Sequence, residues 1–307
     1  MNRHKWAFTA RFRSKAYGWR GTGPATKRLK EAVTEIRKAA RTDPVLAAEG
    51  AVSLMTRLWP ALQEIDTSSG SLGNAVYGSL ERLIPLLVSA PADRKVRTKW
   101  LERLFVAMEK DGVQYLSPIE DRWGEICVYP ELAAEWVERL MPIVRAAWSD
   151  HSRFQFVTGD TACLSCLLEL GRYKELNELL SLRSGPFWST DRFGADALAR
   201  QGLTDAAISY AEARRKDGYD EPRIVEFCER ILLDAGRRDE AYQMYGLRTA
   251  GANTYLAVFR AVTRKYPERD PRQVLMNLIE VRGDQGKWFA AAKSAGFLDI
   301  ALDCARF

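Results

Sequence analysis

From Leu29 onward, apolar residues return along the chain at helical intervals. Leu29, Ala32, Val33 and Ile36 keep the i, i+3, i+4, i+7 spacing of one buried helix face. Asp43-Pro44 then offers an N-cap followed by a first-turn proline, which predicts a helix running to Ile65. The stretch DTSSGSLG, residues 66–73, is dense in Ser and Gly and marks the next break. The same periodicity predicts helices over 71–90, 93–110, 118–127 and 131–148. Pro60, Pro85 and Pro142 fall inside these spans, where the missing N–H predicts kinks or short breaks. Strand-like alternation is confined to FQFV at 154–157, too short to support a sheet. The class expected is all-α.

The second half repeats itself. LLELGRYKELNELL, LARQGLTDAAISYA, LLDAGRRDEAYQMY and AKSAGFLDIALDCA align on Gly171, Gly202, Gly236 and Gly296, at intervals of 31, 34 and 60 residues. Three residues after each glycine stand Lys174, Asp205, Asp239 and Asp299, and five after stand Leu176, Ala207, Ala241 and Ala301. This is the pattern of a helical hairpin. The glycine ends the first helix in a left-handed conformation, an acid caps or complements the start of the second, and a small residue lets the two helices approach closely. A single hairpin cannot bury its apolar face alone, so such units stack. The expectation is an α-solenoid of antiparallel helical hairpins, with an irregular helical bundle as the alternative.

Gly236, Glu240, Ala241 and Tyr245 resemble the turn of tetratricopeptide repeats, and Gly202, Ala207 and Tyr210 match it in part. The small glycine of that repeat's first helix is replaced by Leu164, Ala195 and Glu229. The stretches AYGWRG, DPVLAAEGAV, IDTSSGSLGNAV, TACLSCLLELGRY, NTYLAVFRAVTRKYP and KWFAAAKSAG are similar to those of a family of uncharacterised bacterial helical-repeat proteins. That resemblance implies a bacterial, cytoplasmic setting and no particular activity.

Charge divides the chain. Residues 1–41 carry 12 of the 46 Lys and Arg and only 2 of the 40 acids, a net +10, while the remainder is −4. The organisation expected is a basic, aromatic N-terminal arm over 1–23, a helical region over 24–150 and the repeats over 151–307. No window offers the run of apolar residues that a membrane span needs, and the N-terminus lacks a signal-peptide core. A cytoplasmic protein with no membrane partner is expected.

The arm carries the sharpest residue-level lead. Arg11, Arg13, Lys15, Arg20, Lys27 and Arg28 alternate with Phe8, Phe12, Tyr17 and Trp19. Cations that hold phosphates beside rings that stack on bases are the combination used on single strands and structured RNA. Acidic lipid surfaces and mitochondrial presequences use similar stretches. The plain alternative is an arm whose rings pack onto the first helices. GWRGTGP, residues 18–24, lacks the spacing of a phosphate-binding loop and is expected to be a flexible hinge.

Other chemistry is sparse. Cys163 and Cys166 lie one helical turn apart in an apolar run, as core residues do. The only histidines are His4 and His151, too few for a structural zinc site, so no metal is expected. His151 beside Asp150 sits in a polar linker, and no nucleophile or metalloprotease motif occurs. No cofactor is expected. The reading is a non-enzymatic scaffold that binds a protein or peptide. The alternative is a nucleic-acid-binding protein that grips through the arm. A helical enzyme, which needs convergent ionisable groups in a pocket, ranks third. The last repeat, with Leu298, Ile300 and Leu302 lightly disguised by charge, is also expected to self-associate.

Overall fold

The structure, a computed structural model, describes residues 4–150, 156–215, 221–249, 251 and 254–306. His151 and the first two residues of FQFV lie outside the described residues. The described residues are helical with no strand, and none of their helices is long and apolar enough to cross a membrane. The chain forms two compact units, Met1–Gly185 and Pro186–Phe307.

The first unit holds α1 (Thr22–Ala39), α2 (Pro44–Leu62), α3 (Ser71–Ser89), α4 (Arg94–Glu109), α5 (Ser117–Asp121), α6 (Trp123–Cys127), α7 (Pro130–Ser149), α8 (Asp160–Glu169) and α9 (Tyr173–Ser181). Local signals set several starts. The Asp43 carboxylate accepts the Leu46 N–H at 2.8 Å, and Asp93 does the same for Val96 at 2.8 Å. The helices α1, α2 and α3 pack on one another, while α5, α6 and α7 pack around α8. Eight of the ten residues of α8 are buried, including Cys163 and Cys166, so this short helix forms the centre of its layer.

Two expectations are corrected here, the short breaks at the prolines and the single helix over 118–127. The internal prolines do not break their helices: α2, α3 and α7 run through Pro60, Pro85 and Pro142. Each proline forfeits one helix bond, but the helix continues where buried side chains flank it on both sides, such as Met55, Leu58, Ala61 and Leu62 around Pro60. The single helix expected over 118–127 is instead α5 and α6, separated at Arg122 with φ −116° and ψ 23°. The bend brings Gly124 against the Ser165 backbone of α8, an approach that no side chain would permit.

A buried arginine ties three elements of this unit. Arg97 on α4 is 1% exposed. Its Nη1 donates to the carbonyls of Leu87 at 2.8 Å and Ile126 at 3.0 Å, and its Nη2 to that of Ala90 at 2.8 Å. These carbonyls end α3 and α6, where unpaired acceptors and the helix dipole favour a cation.

The second unit holds α10 (Trp188–Arg200), α11 (Thr204–Glu212), α12 (Glu221–Asp234), α13 (Arg238–Ala241), α14 (Leu247–Thr249), α15 (Tyr255–Lys265), α16 (Pro271–Arg282), α17 (Phe289–Ser294) and α18 (Leu298–Cys304). A π-helical turn, Tyr242–Gly246, joins α13 to α14. The pairs α10–α11, α12–α13, α15–α16 and α17–α18 pack as hairpins.

The four aligned glycines close their helices identically. Gly171, Gly202, Gly236 and Gly296 have φ of 67°, 76°, 73° and 85°. In each turn the next residue's N–H reaches back five residues to a carbonyl. These bonds are Arg172 to Leu167 (2.9 Å), Leu203 to Leu198 (3.0 Å), Arg237 to Leu232 (2.8 Å) and Phe297 to Ala292 (3.0 Å). The glycine N–H itself bonds three residues back. Together these bonds make the Schellman motif four times over. Leu176, Ala207, Ala241 and Ala301, five residues after the glycines, are all buried. Replacing Ala241 by Leu is therefore expected to destabilise the second unit by about 1–3 kcal/mol through overpacking. An unchanged urea midpoint would show that the helices there do not approach closely.

The acids three residues after the glycines do not cap. No side-chain cap bond forms at the starts of α11, α13 or α18. Asp205, Asp239 and Asp299 lie in the first turn, where they complement the dipole, and each pairs with an arginine of a neighbouring hairpin. Asp205 pairs with Arg237 at 2.5 Å, Asp239 with Arg269 and Asp299 with Arg272. The Arg272 hydrogen bond pulls Asp299 down to about 2. Such exposed pairs contribute little stability singly, but together they align one hairpin on the next.

Candidate functional site

The basic segment is sewn to the first unit. Trp6, Phe8 and Phe12 are buried. The Trp6 ring lies in the slot left by Gly50 on α2, where a Cβ would fall within the ring's own space. The Ala7 and Phe8 N–H groups donate to Glu35 on α1 at 2.8 and 3.3 Å. The Lys15 N–H donates to the Pro60 carbonyl at 2.7 Å, and the Asp66 N–H to the Trp19 carbonyl at 3.0 Å. The expected hinge at GWRGTGP is a closed turn, with the Gly21 N–H on the Gly18 carbonyl at 2.8 Å and α1 beginning at Thr22.

The six cations of the segment divide into two sets. Arg11 and Arg28 share Glu31, whose carboxyl the Arg28 hydrogen bond holds below its ordinary range, and Lys15 pairs with Glu64 at 3.0 Å. Arg13, Arg20 and Lys27 are exposed and form no ion pair among the described residues. Of the four rings once candidates for base stacking, Phe8 and Phe12 are buried, and burial raises the half-buried Tyr17 phenol. Only Trp19, 68% exposed, presents a free face.

The second unit shows a different surface. Each of its last three hairpins exposes an apolar side chain from its second helix: Met244 on the π turn, Met276 on α16 and Leu302 on α18. Leu302 and Leu298, one turn apart, are each 63% exposed among the described residues. Phe187, Leu203 and Phe289 add exposed apolar area in the same unit.

Two features escaped sequence reasoning because their partners are distant in the chain. Glu229 on α12, which stands where the tetratricopeptide pattern has glycine, is 2% exposed. It accepts from Lys265 Nζ at 2.8 Å and from the Tyr266 hydroxyl at 2.6 Å, so a buried ionic link ties this hairpin to the next. In the first unit, Glu120 of α5 meets the start of α8. Its Oε1 accepts the Gly159 N–H at 2.6 Å, and Asp160 beside it is buried. Burial, then the charge of Asp160, pushes Glu120 up to about 8, and burial pushes Asp160 up to about 6.

These raised values fix a sign. Folding favours the protonated carboxyls, so their contribution is complete at acid pH and is lost as pH rises, from 3.8 to about 6 for Asp160 and from 4.5 to about 8 for Glu120. The first unit is therefore expected to lose on the order of 2 kcal/mol over that window. Glu120→Gln should flatten the loss. Urea titrations across the window check this, and an equal slope in wild type and Glu120→Gln would refute it.

Among the described residues no group of three or more His, Cys, Asp or Glu could hold a metal ion. Comparison with protein-family models, with curated proteins and with solved structures finds no match for this chain.

Proposed function

We propose that the chain is a non-enzymatic helical-repeat scaffold whose hairpins stack as a tetratricopeptide-like α-solenoid and bind a protein or peptide. The observation that carries this reading is the apolar series Met244, Met276 and Leu302, one on the second helix of each of three successive hairpins. Apolar area that a chain leaves uncovered marks contact with another chain, and methionine adapts its shape to varied partners. The four equal glycine turns and the arginine–aspartate pairs between hairpins support the repeat. A bacterial cytoplasmic setting and self-association through α18 belong to the same reading.

A nucleic-acid role has one observation in its favour, the exposed Trp19 beside Arg20, which forms no ion pair among the described residues. It is the second reading, restricted to Arg13, Arg20 and Lys27, because burial and ion pairing occupy the rest of the segment. Capture on the immobilised protein separates the two. A Met276→Asp/Leu302→Asp variant is expected to lose a protein that the wild type retains after nuclease treatment and in high salt. An Arg13→Ala/Arg20→Ala variant should keep it. Loss with the second variant, or with nuclease, would overturn the scaffold reading.

A further inference from the structure

The helix α1 separates its residues onto opposite faces. Ala25, Leu29, Ala32, Val33 and Ile36 are buried, and the helix packs on α2 and α3. On the far side Lys27, Lys30 and Thr34, then Arg37 and Lys38, are exposed at steps of three or four residues, so they form one stripe. Arg41, exposed in the turn that closes the helix, extends it. At the helical rise the stripe is about 20 Å long. No acid interrupts it, and the Thr34 hydroxyl in its middle donates to the Lys30 carbonyl at 2.8 Å.

The carboxylates nearest in the chain are engaged elsewhere. Glu31 and Glu35 are the only acids among residues 1–41. Glu31 pairs with Arg11 and Arg28, and Glu35 accepts the Ala7 and Phe8 N–H groups. None of the five cations forms an ion pair among the described residues. Arg37 and Lys38 stand in the last turn, where the helix dipole favours a cation, but Lys27 and Lys30 stand earlier and gain nothing from it. Like charges three and four residues apart repel, so the stripe costs α1 stability that no carboxylate among the described residues returns. A polymer of repeated negative charge would return it.

The surroundings narrow the polymer. Trp19, 68% exposed, stands just before α1. Its carbonyl accepts the Asp66 N–H at 3.0 Å, and the Gly18–Gly21 turn follows directly, so the backbone that carries the ring is held in place. A free ring at the head of a phosphate-binding row suits unpaired bases. A lipid surface fits less well, because α1 exposes no large apolar side chain that could insert.

We propose that the outer face of α1 is a binding surface for single-stranded nucleic acid, on which Lys27, Lys30, Arg37, Lys38 and Arg41 hold backbone phosphates and the Trp19 ring stacks on a base. The surface belongs to the first unit and the apolar series to the second, so it stands or falls independently of the scaffold reading. It extends the nucleic-acid reading from the N-terminal segment to α1.

Anisotropy of a fluorescent oligothymidylate of about 15 nucleotides, titrated with the full chain at several salt concentrations, tests this. Five phosphate contacts predict a log–log slope of about −3.5. Lys30→Ala/Arg37→Ala should reduce the slope by about 1.4 and weaken binding roughly tenfold or more at about 0.1 M salt. Trp19→Ala should weaken binding about fivefold or more with the slope unchanged. Lys95→Ala/Lys99→Ala on α4 removes the same charge from exposed positions and should change neither quantity. An equal loss with that control would reduce the surface to diffuse charge and overturn the proposal. Loss with Arg13→Ala/Arg20→Ala but not with the α1 variant would also overturn it, while leaving the segment's own reading standing. So would binding of phosphatidylserine vesicles or polyglutamate without binding of the oligonucleotide.

Discussion

Arg97→Met is expected to destabilise the first unit by about 3 kcal/mol. The Leu87, Ala90 and Ile126 carbonyls would each lose a donor in a site closed to water, and each buried unpaired acceptor costs about 1–3 kcal/mol. Removing a buried cation recovers part of that loss, because desolvation already holds the guanidinium below its ordinary range. The three bonds outweigh the recovery, since the charge also faces the negative ends of α3 and α6. Arg97→Lys should rescue little, because an ammonium cannot reproduce the forked geometry that spans three carbonyls. Chemical denaturation reads both variants, and a Met variant at least as stable as wild type would show that the buried charge costs more than its bonds return.

The second large effect falls on Glu229. Glu229→Ala is expected to cost the second unit about 2–3 kcal/mol, since it leaves the buried Tyr266 hydroxyl without an acceptor and frees Lys265. Burial and the bond to Glu229 both raise the Tyr266 phenol, so it keeps the proton that it donates to Glu229. Glu229→Gln keeps an acceptor and should cost less. The double variant Glu229→Ala/Tyr266→Phe should lose less than the sum of its parts, as bonded partners do. Strictly additive losses in urea unfolding would place the two side chains outside one another's network.

Features set by a few adjacent residues were readable from the sequence. The Asp43-Pro44 start, the glycine turns and the burial of Ala207 and Ala241 depend on local backbone geometry and spacing, and they appear as expected. Features whose partners lie far along the chain were not readable. Trp6 seats on Gly50, Arg97 reaches Ile126 and Glu229 meets Tyr266, and no periodicity links those positions. The breaks expected at the prolines do not occur for a related reason: the cost of a proline is local, but the packing that overrides it is tertiary. For the basic segment the sequence left packing and a free grip side by side, because charge and aromatic content register only what a residue offers; the structure packs Phe8 and Phe12 among its rings. The carboxylates that answer it, Glu31, Glu35 and Glu64, sit on or just beyond the first two helices.

A photo-crosslinking amino acid placed singly at Met276, at Leu302 and at Arg20 tests the scaffold reading most directly, in living cells and with nuclease applied after lysis. The result expected is a discrete protein adduct from Met276 and from Leu302, unchanged by nuclease, and none of that size from Arg20. An adduct confined to Arg20 that nuclease removes, with both hairpin positions silent, would contradict it.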